Sequence, residues 1–150
     1  MELENDITYS TYLVLIGDEL DPEEMTDLLD VEPDNCWRKG DVKSLYGIQG
    51  KPLAWGGWKK APASSYRDSD LEEQLEYWCD FIQEKRDVFR QIQRDGIAVS
   101  IDCSIETSDV SFLQLQPQLS LKLAELKVCL DISFVALESE PENQEVECEH

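Results

Sequence analysis

Ile97-Ala98-Val99-Ser100-Ile101-Asp102-Cys103-Ser104-Ile105-Glu106 alternates apolar and polar residues without a break. That is the period of a strand with one buried face and one wetter face. Immediately upstream, Leu71, Leu75, Trp78, Ile82, Phe89 and Ile92 recur at helical spacing. They predict one long helix that opens near Ser69 or Asp70 and ends at Asp95-Gly96, where Gly96 suits a left-handed cap. Downstream, Pro117 opens a helix to about Leu126, and Val128, Leu130, Ile132 and Phe134 alternate around Asp131 and Ser133 as a closing strand.

The first half has the same logic. Tyr9 to Ile16 reads as a strand and Gly17-Asp18 as a turn. Asp21 at N-cap, Pro22 at N1 and Glu24 at N3 start a helix to about Asp30, with Leu20 and Met25 as a hydrophobic staple. Val31 to Arg38 is extended. Residues 40–66 hold five Gly and two Pro and read as loops around a short strand near Trp55–Lys60. The order is β-α-β-β-α-β-α-β, and strand, Pro-led helix and strand recur at 9–35 and 97–135. The expected fold class is α+β: a mixed, mainly antiparallel sheet with helices on one face, in a ferredoxin-like or duplicated β-α-β arrangement. Ser100, Asp102, Ser104, Asp131 and Ser133 would line its open face.

With 150 residues, 33 Asp+Glu against 13 Lys+Arg and a net charge of -20, the chain is long enough for one domain. Its average field would repel nucleic acid. Residues 1–137 are expected to form a single α+β domain. Residues 138–150, with six Glu and no cation, are expected to be a disordered acidic tail. The apolar run Leu13-Val14-Leu15-Ile16 has no basic segment before it, so no signal peptide or membrane span is expected. The five cysteines, Cys36, Cys79, Cys103, Cys129 and Cys148, contain no Cys-x-x-Cys pair and fit a reduced, cytoplasmic setting. With His150 the only histidine, neither a metal site nor a cofactor is expected.

The most distinctive stretch is Cys36-Trp37-Arg38-Lys39-Gly40-Asp41 together with Trp55-Gly56-Gly57-Trp58-Lys59-Lys60. Tryptophan beside arginine is the composition of binding hot spots, so Trp37, Arg38, Lys39, Asp41, Trp55 and Trp58 are the candidate partner-binding residues. The competing reading is structural: Trp37 and Trp58 plug the sheet edge, Gly40 turns, and the cations lie over the rings. Arg86, Arg90 and Arg94 form a basic stripe on the long helix, and Glu72, Glu76, Asp80 and Glu84 an acidic one; both read as solvated faces. Asp102 and Asp131 could meet on the sheet, but they have no companion His, Tyr or Gly-rich loop nearby in sequence. No catalytic residue is assigned.

Leu20-Asp21-Pro22-Glu23-Glu24 after the first strand, Leu28-Leu29, Pro33, Arg38-Lys39-Gly40-Asp41, Gly57-Trp58, Leu71-Glu72-Glu73-Gln74-Leu75 and Leu123-Ala124-Glu125-Leu126 running into Leu130-Asp131-Ile132 occur in an order and spacing that resembles the bacterial domain of unknown function 4279 family, over roughly residues 9–137. The resemblance implies a bacterial source and a small α+β domain, and no established activity. The sequence departs from the family in Trp55 with Trp58, in its basic loop and in its acidic tail. The leading functional expectation is a non-enzymatic cytoplasmic interaction domain, an immunity or inhibitor protein that binds a basic protein partner such as a toxin. It would be a monomer or homodimer without nucleic-acid or membrane partners. The alternative is a small-ligand (anion) binding protein or an enzyme using the Trp/Arg/Lys loop.

Overall fold

A computed structural model describes residues 7–42, 44–45, 48–107 and 113–136. The expected tail at 138–150, with Cys148 and His150, lies outside the described residues. The long strands are β1 (Thr8–Gly17), β6 (Ala98–Thr107) and β7 (Cys129–Ala136), and the shorter ones β2 (Asn35–Trp37), β3 (Ser44–Leu45), β4 (Ile48–Gln49) and β5 (Gly56–Lys60). The helices are α1 (Pro22–Leu29), α2 (Leu71–Glu84), α3 (Arg86–Arg94) and α4 (Pro117–Glu125), with a 3-10 turn at Ser64–Tyr66.

Five strands form one open sheet in the order β2-β5-β1-β6-β7, and β3 pairs with β4 in a separate two-stranded hairpin. All neighbours in the large sheet are antiparallel except β6 and β7. Elements β1 to β6 therefore follow the ferredoxin-like path: β5 lies between β1 and β2, and β1 lies between β5 and β6. The parallel β6-α4-β7 unit extends that core at one edge. The fold is thus the expected α+β class, with a mixed, mostly antiparallel sheet and helices packed on it.

Local signals explain most element boundaries. Asp21 accepts a hydrogen bond from the Glu23 amide (3.1 Å) at the start of α1, and Asp70 accepts one from the Glu73 amide (2.9 Å) at the start of α2. The staple residues Leu20 and Met25 are both buried. Gly96 takes a φ of 87° after α3, the left-handed position its sequence context implied. Two expectations need correction. The long helix is two helices, broken at Lys85 (φ -111°, ψ 32°), whose amide turns to Ile82 O and so leaves the regular ladder. No Gly or Pro marks that break. The stretch expected to be loop before β5 also contains the β3–β4 hairpin.

The core fills the space between the sheet and its helices. Leu13, Leu15, Trp58, Val99, Ile101, Cys103 and Ile105 point from the sheet into it, and Leu29, Leu75, Trp78, Ile82, Phe89, Ile92, Leu119 and Leu123 meet them from the helices. Fully burying one such side chain is worth about 1.5–3 kcal/mol. One polar cluster sits within this apolar layer. Thr11 Oγ1 donates to Gln74 Oε1 (2.8 Å) and accepts from Trp78 Nε1 (3.1 Å). Gln74 Nε2 donates to Tyr9 O and Ser69 O, each at 2.9 Å. Gln74 is wholly buried and fully satisfied, so it locks α2 to β1 and to the chain just after the 3-10 turn.

Candidate functional site: an acidic and aromatic groove on α2

The six residues singled out in the sequence divide: Trp58 is buried and Trp37 half-buried, whereas Arg38, Lys39, Asp41 and Trp55 are exposed. Trp58 has 0% exposure, and its Nε1 donates to Thr26 Oγ1 (3.1 Å), so it is a core residue and not a surface anchor. Trp37 is half-buried and packs its indole against Gly57, where a Cβ would collide with it. Arg38 pairs with Asp21 (3.0 Å) and Glu23 (3.3 Å), and Lys39 with Asp18 (3.0 Å) and Glu19 (3.3 Å). These contacts hold the Lys39 ammonium above its ordinary pKa, chiefly through its hydrogen bond to Asp18. Asp41 is structural, since its Oδ2 accepts from the Arg38 amide (2.8 Å) and closes the turn at Gly40. Of the six candidates only Trp55, 50% exposed, presents an open aromatic surface. Its two cations, Arg38 and Lys39, are engaged by the acidic turn before α1 and by α1 itself.

The open sheet face does unite the two aspartates. Asp102 and Asp131 are register partners on β6 and β7, and Tyr12 is the register partner of Asp102 on β1. Lys59 Nζ lies 4.2 Å from the Tyr12 ring centroid, at the next strand. Partial burial raises the pKa of Asp102, and the neighbouring Asp131 carboxylate adds to that shift. Burial makes Cys103 on β6 and Cys79 on α2 poor nucleophiles. Burial pushes the Cys103 thiol up to about 12 and the Cys79 thiol up to about 11. Among the described residues no group of three or more His, Cys, Asp or Glu is placed to hold a metal ion.

A more complete binding geometry lies on the outward side of α2. Once Leu71, Leu75, Trp78 and Ile82 turn to the core, the same helix presents Glu73, Glu76, Asp80 and Glu84 beside Tyr77 and Phe81. The 3-10 turn adds Tyr66, whose ring centroid is 4.7 Å from that of Tyr77. From there the rings step inward: Tyr77 to Trp78 at 5.0 Å, Trp78 to Phe81 at 5.5 Å and Phe81 to Phe89 at 6.1 Å, all three edge-on. Exposed Tyr66 and half-buried Tyr77 and Phe81 line an open groove of about 490 Å³ flanked by the four carboxylates. None of those carboxylates has a cation within 4 Å among the described residues. Lys85 Nζ, 5.7 Å from the Phe81 ring centroid, already samples one ring face.

A family model, Domain of unknown function (DUF4279), matches residues 7–137. The chain belongs to the DUF4279 family. No curated protein and no solved structure matches it. The match runs from the start of β1 to the end of β7, so the DUF4279 domain comprises the whole five-stranded sheet and the helices that carry the groove. Sequence reading placed Glu76, Asp80 and Glu84 on one stripe with Glu72, where the groove has Glu73, took that stripe as a solvated face, and missed Tyr66, Tyr77 and Phe81 as its companions. The i, i+4 pair Tyr77 and Phe81 on the flank of the core stripe was the available signal. Tyr66 joins them only through the fold of the chain.

Proposed function

We propose that this DUF4279 domain is a non-enzymatic interaction module, an inhibitor or immunity protein of the bacterial cytoplasm, that captures a basic protein through the α2 groove. The observation that carries the reading is the row of carboxylates, Glu73, Glu76, Asp80 and Glu84, without a cation partner among the described residues and set against the rings of Tyr66, Tyr77 and Phe81. Carboxylates accept the directional hydrogen bonds of arginine or lysine, and exposed ring faces attract the same cations at about 0.5–1 kcal/mol or more each. The net charge of -20 would accelerate the encounter with such a partner and make it salt-dependent. The role of anchor thereby passes from Trp37, Arg38 and Trp58, which are engaged within the fold, to the tyrosines.

The test is affinity capture of tagged protein from lysate of its own source cell, at low salt and at about 0.5 M salt, with retained proteins identified by mass spectrometry. Wild type should retain one stoichiometric basic protein that weakens at high salt. Asp80→Lys, an exposed change, should lose it while melting normally. Equal retention by wild type and Asp80→Lys would remove the α2 groove from the interface, and an empty capture in both salts would refute the interaction reading.

A further inference from the structure

The chain has 13 Lys and Arg, and six of the twelve that are described are engaged within the fold. Arg38 and Lys39 are ion-paired, Lys60 Nζ donates to Glu32 O (2.8 Å), Arg67 Nε donates to Pro62 O (3.2 Å), and Lys59 and Lys85 lie over rings. Among the described residues, the charged groups of Lys51, Arg86, Arg90, Arg94, Lys122 and Lys127 make no ion pair or hydrogen bond. Four of these six, Arg86, Arg90, Arg94 and Lys127, line a single groove of about 450 Å³ between α3 and the α4–β7 turn. Random placement on so acidic a chain would scatter them among carboxylates. Here only Glu125 shares the groove wall.

The groove is also built. Ile82 and Phe89, each 1% exposed, anchor its base in the core. Lys127 has a φ of 57°, a left-handed backbone where glycine is the usual occupant after a helix. Gln93 holds that turn by donating from Nε2 to Leu126 O (3.2 Å) and Lys127 O (3.0 Å). Gln93 is itself part of the groove wall, so one side chain on α3 sets the position of the lysine opposite the arginine stripe.

We propose that this groove is a binding site for a small ligand carrying two or more phosphate groups. Arginines at i, i+4 and i+8 are separated by about 6 Å per step along the helix, which suits phosphates in a row and not a single anion. Each guanidinium offers a planar fork matched to phosphate oxygens. The volume is that of a small-molecule site. A long polyanion such as nucleic acid would run off the groove onto the acidic remainder of the surface, whereas a ligand confined to the groove meets four cations and the single carboxylate of Glu125. This site is separate from the α2 groove, and its test does not depend on that reading.

The experiment is isothermal titration of the full chain with inorganic tripolyphosphate at about 50 mM and about 200 mM salt. Wild type should show saturable one-site binding that weakens with salt. Arg90→Gln should loosen it at least about tenfold, an effect of the size expected for one charge-assisted fork. Lys127→Gly is the control for folding: glycine suits the left-handed turn, so the variant should melt at or above wild type yet bind at least several-fold more weakly. Lys122→Gln, outside the groove, should bind as wild type. Absence of saturable binding to wild type, unchanged binding in an Arg90→Gln/Arg94→Gln variant, or tighter binding of a poly-glutamate peptide than of tripolyphosphate would each overturn the proposal.

Discussion

Gln74 is the residue on which the geometry of the α2 groove depends most directly, and Gln74→Leu isolates its contribution. The side chain is wholly buried and makes three short hydrogen bonds, to the Thr11 hydroxyl, Tyr9 O and Ser69 O. Leucine is close in volume, so the change removes the bonds without leaving a large cavity. Three lost bonds at about 1 kcal/mol each, partly offset by the apolar gain of the new methyls, give a net loss of about 2–3 kcal/mol. Gln74→Glu should cost more. Its carboxylate would face the carbonyls of Tyr9 and Ser69 with no donor but Thr11, and an uncompensated buried charge costs about 3–5 kcal/mol. Urea unfolding at pH 7, followed by tryptophan emission, measures both, since Trp78 Nε1 belongs to the same cluster. The midpoint should fall while the slope stays constant. A loss below about 0.5 kcal/mol in Gln74→Leu would show that the network is replaceable and that the reasoning from buried polar groups fails here.

Three further outcomes follow from the same structure. Trp58→Ala should destabilise the domain by about 3–5 kcal/mol in the same assay, whereas Trp55→Ala should change stability by less than about 0.5 kcal/mol; similar costs for the two would contradict their opposite burial. Because the folded state raises the pKa of Asp102, folded chain holds that proton more tightly than unfolded chain. Ionisation of Asp102 therefore lowers stability as pH rises through its folded pKa, so Asp102→Asn should raise the Tm at pH 7 and lose that advantage below about pH 4. A difference independent of pH would refute this. Native labelling by a thiol reagent at pH 8, resolved by peptide mass, should modify exposed Cys36 and Cys129 and spare buried Cys79 and Cys103; rapid modification of Cys103 would contradict its raised pKa.

Local chemistry made much of this domain legible from sequence. Alternation at 97–106 and helical spacing at 71–92 reported which side of each element is buried, because the period of the side chains is a property of the backbone itself. Asp21, Asp70, Pro117 and Gly96 marked ends through bonds made within a few residues. What remained hidden depended on partners distant in sequence. Lys85 breaks the long helix without Gly or Pro, and α3 then packs on β6. Trp55 and Trp58 are chemically identical side chains with 50% and 0% exposure: Trp55 lies just before β5, and Trp58 within it meets Thr26 of α1. Composition reported cations near residue 38 and carboxylates near residue 20, but only the return of β2 beside β5 brings Arg38 and Lys39 to Asp18, Glu19, Asp21 and Glu23. The same holds for the two grooves. Their charged stripes are periodic and visible in sequence, while Tyr66 and Lys127 join them only when the 3-10 turn and the α4–β7 turn fold against the helices. Sequence determined the elements and their faces because these follow from local backbone geometry; tertiary structure decided which charges are neutralised and which remain open, because that depends on long-range packing.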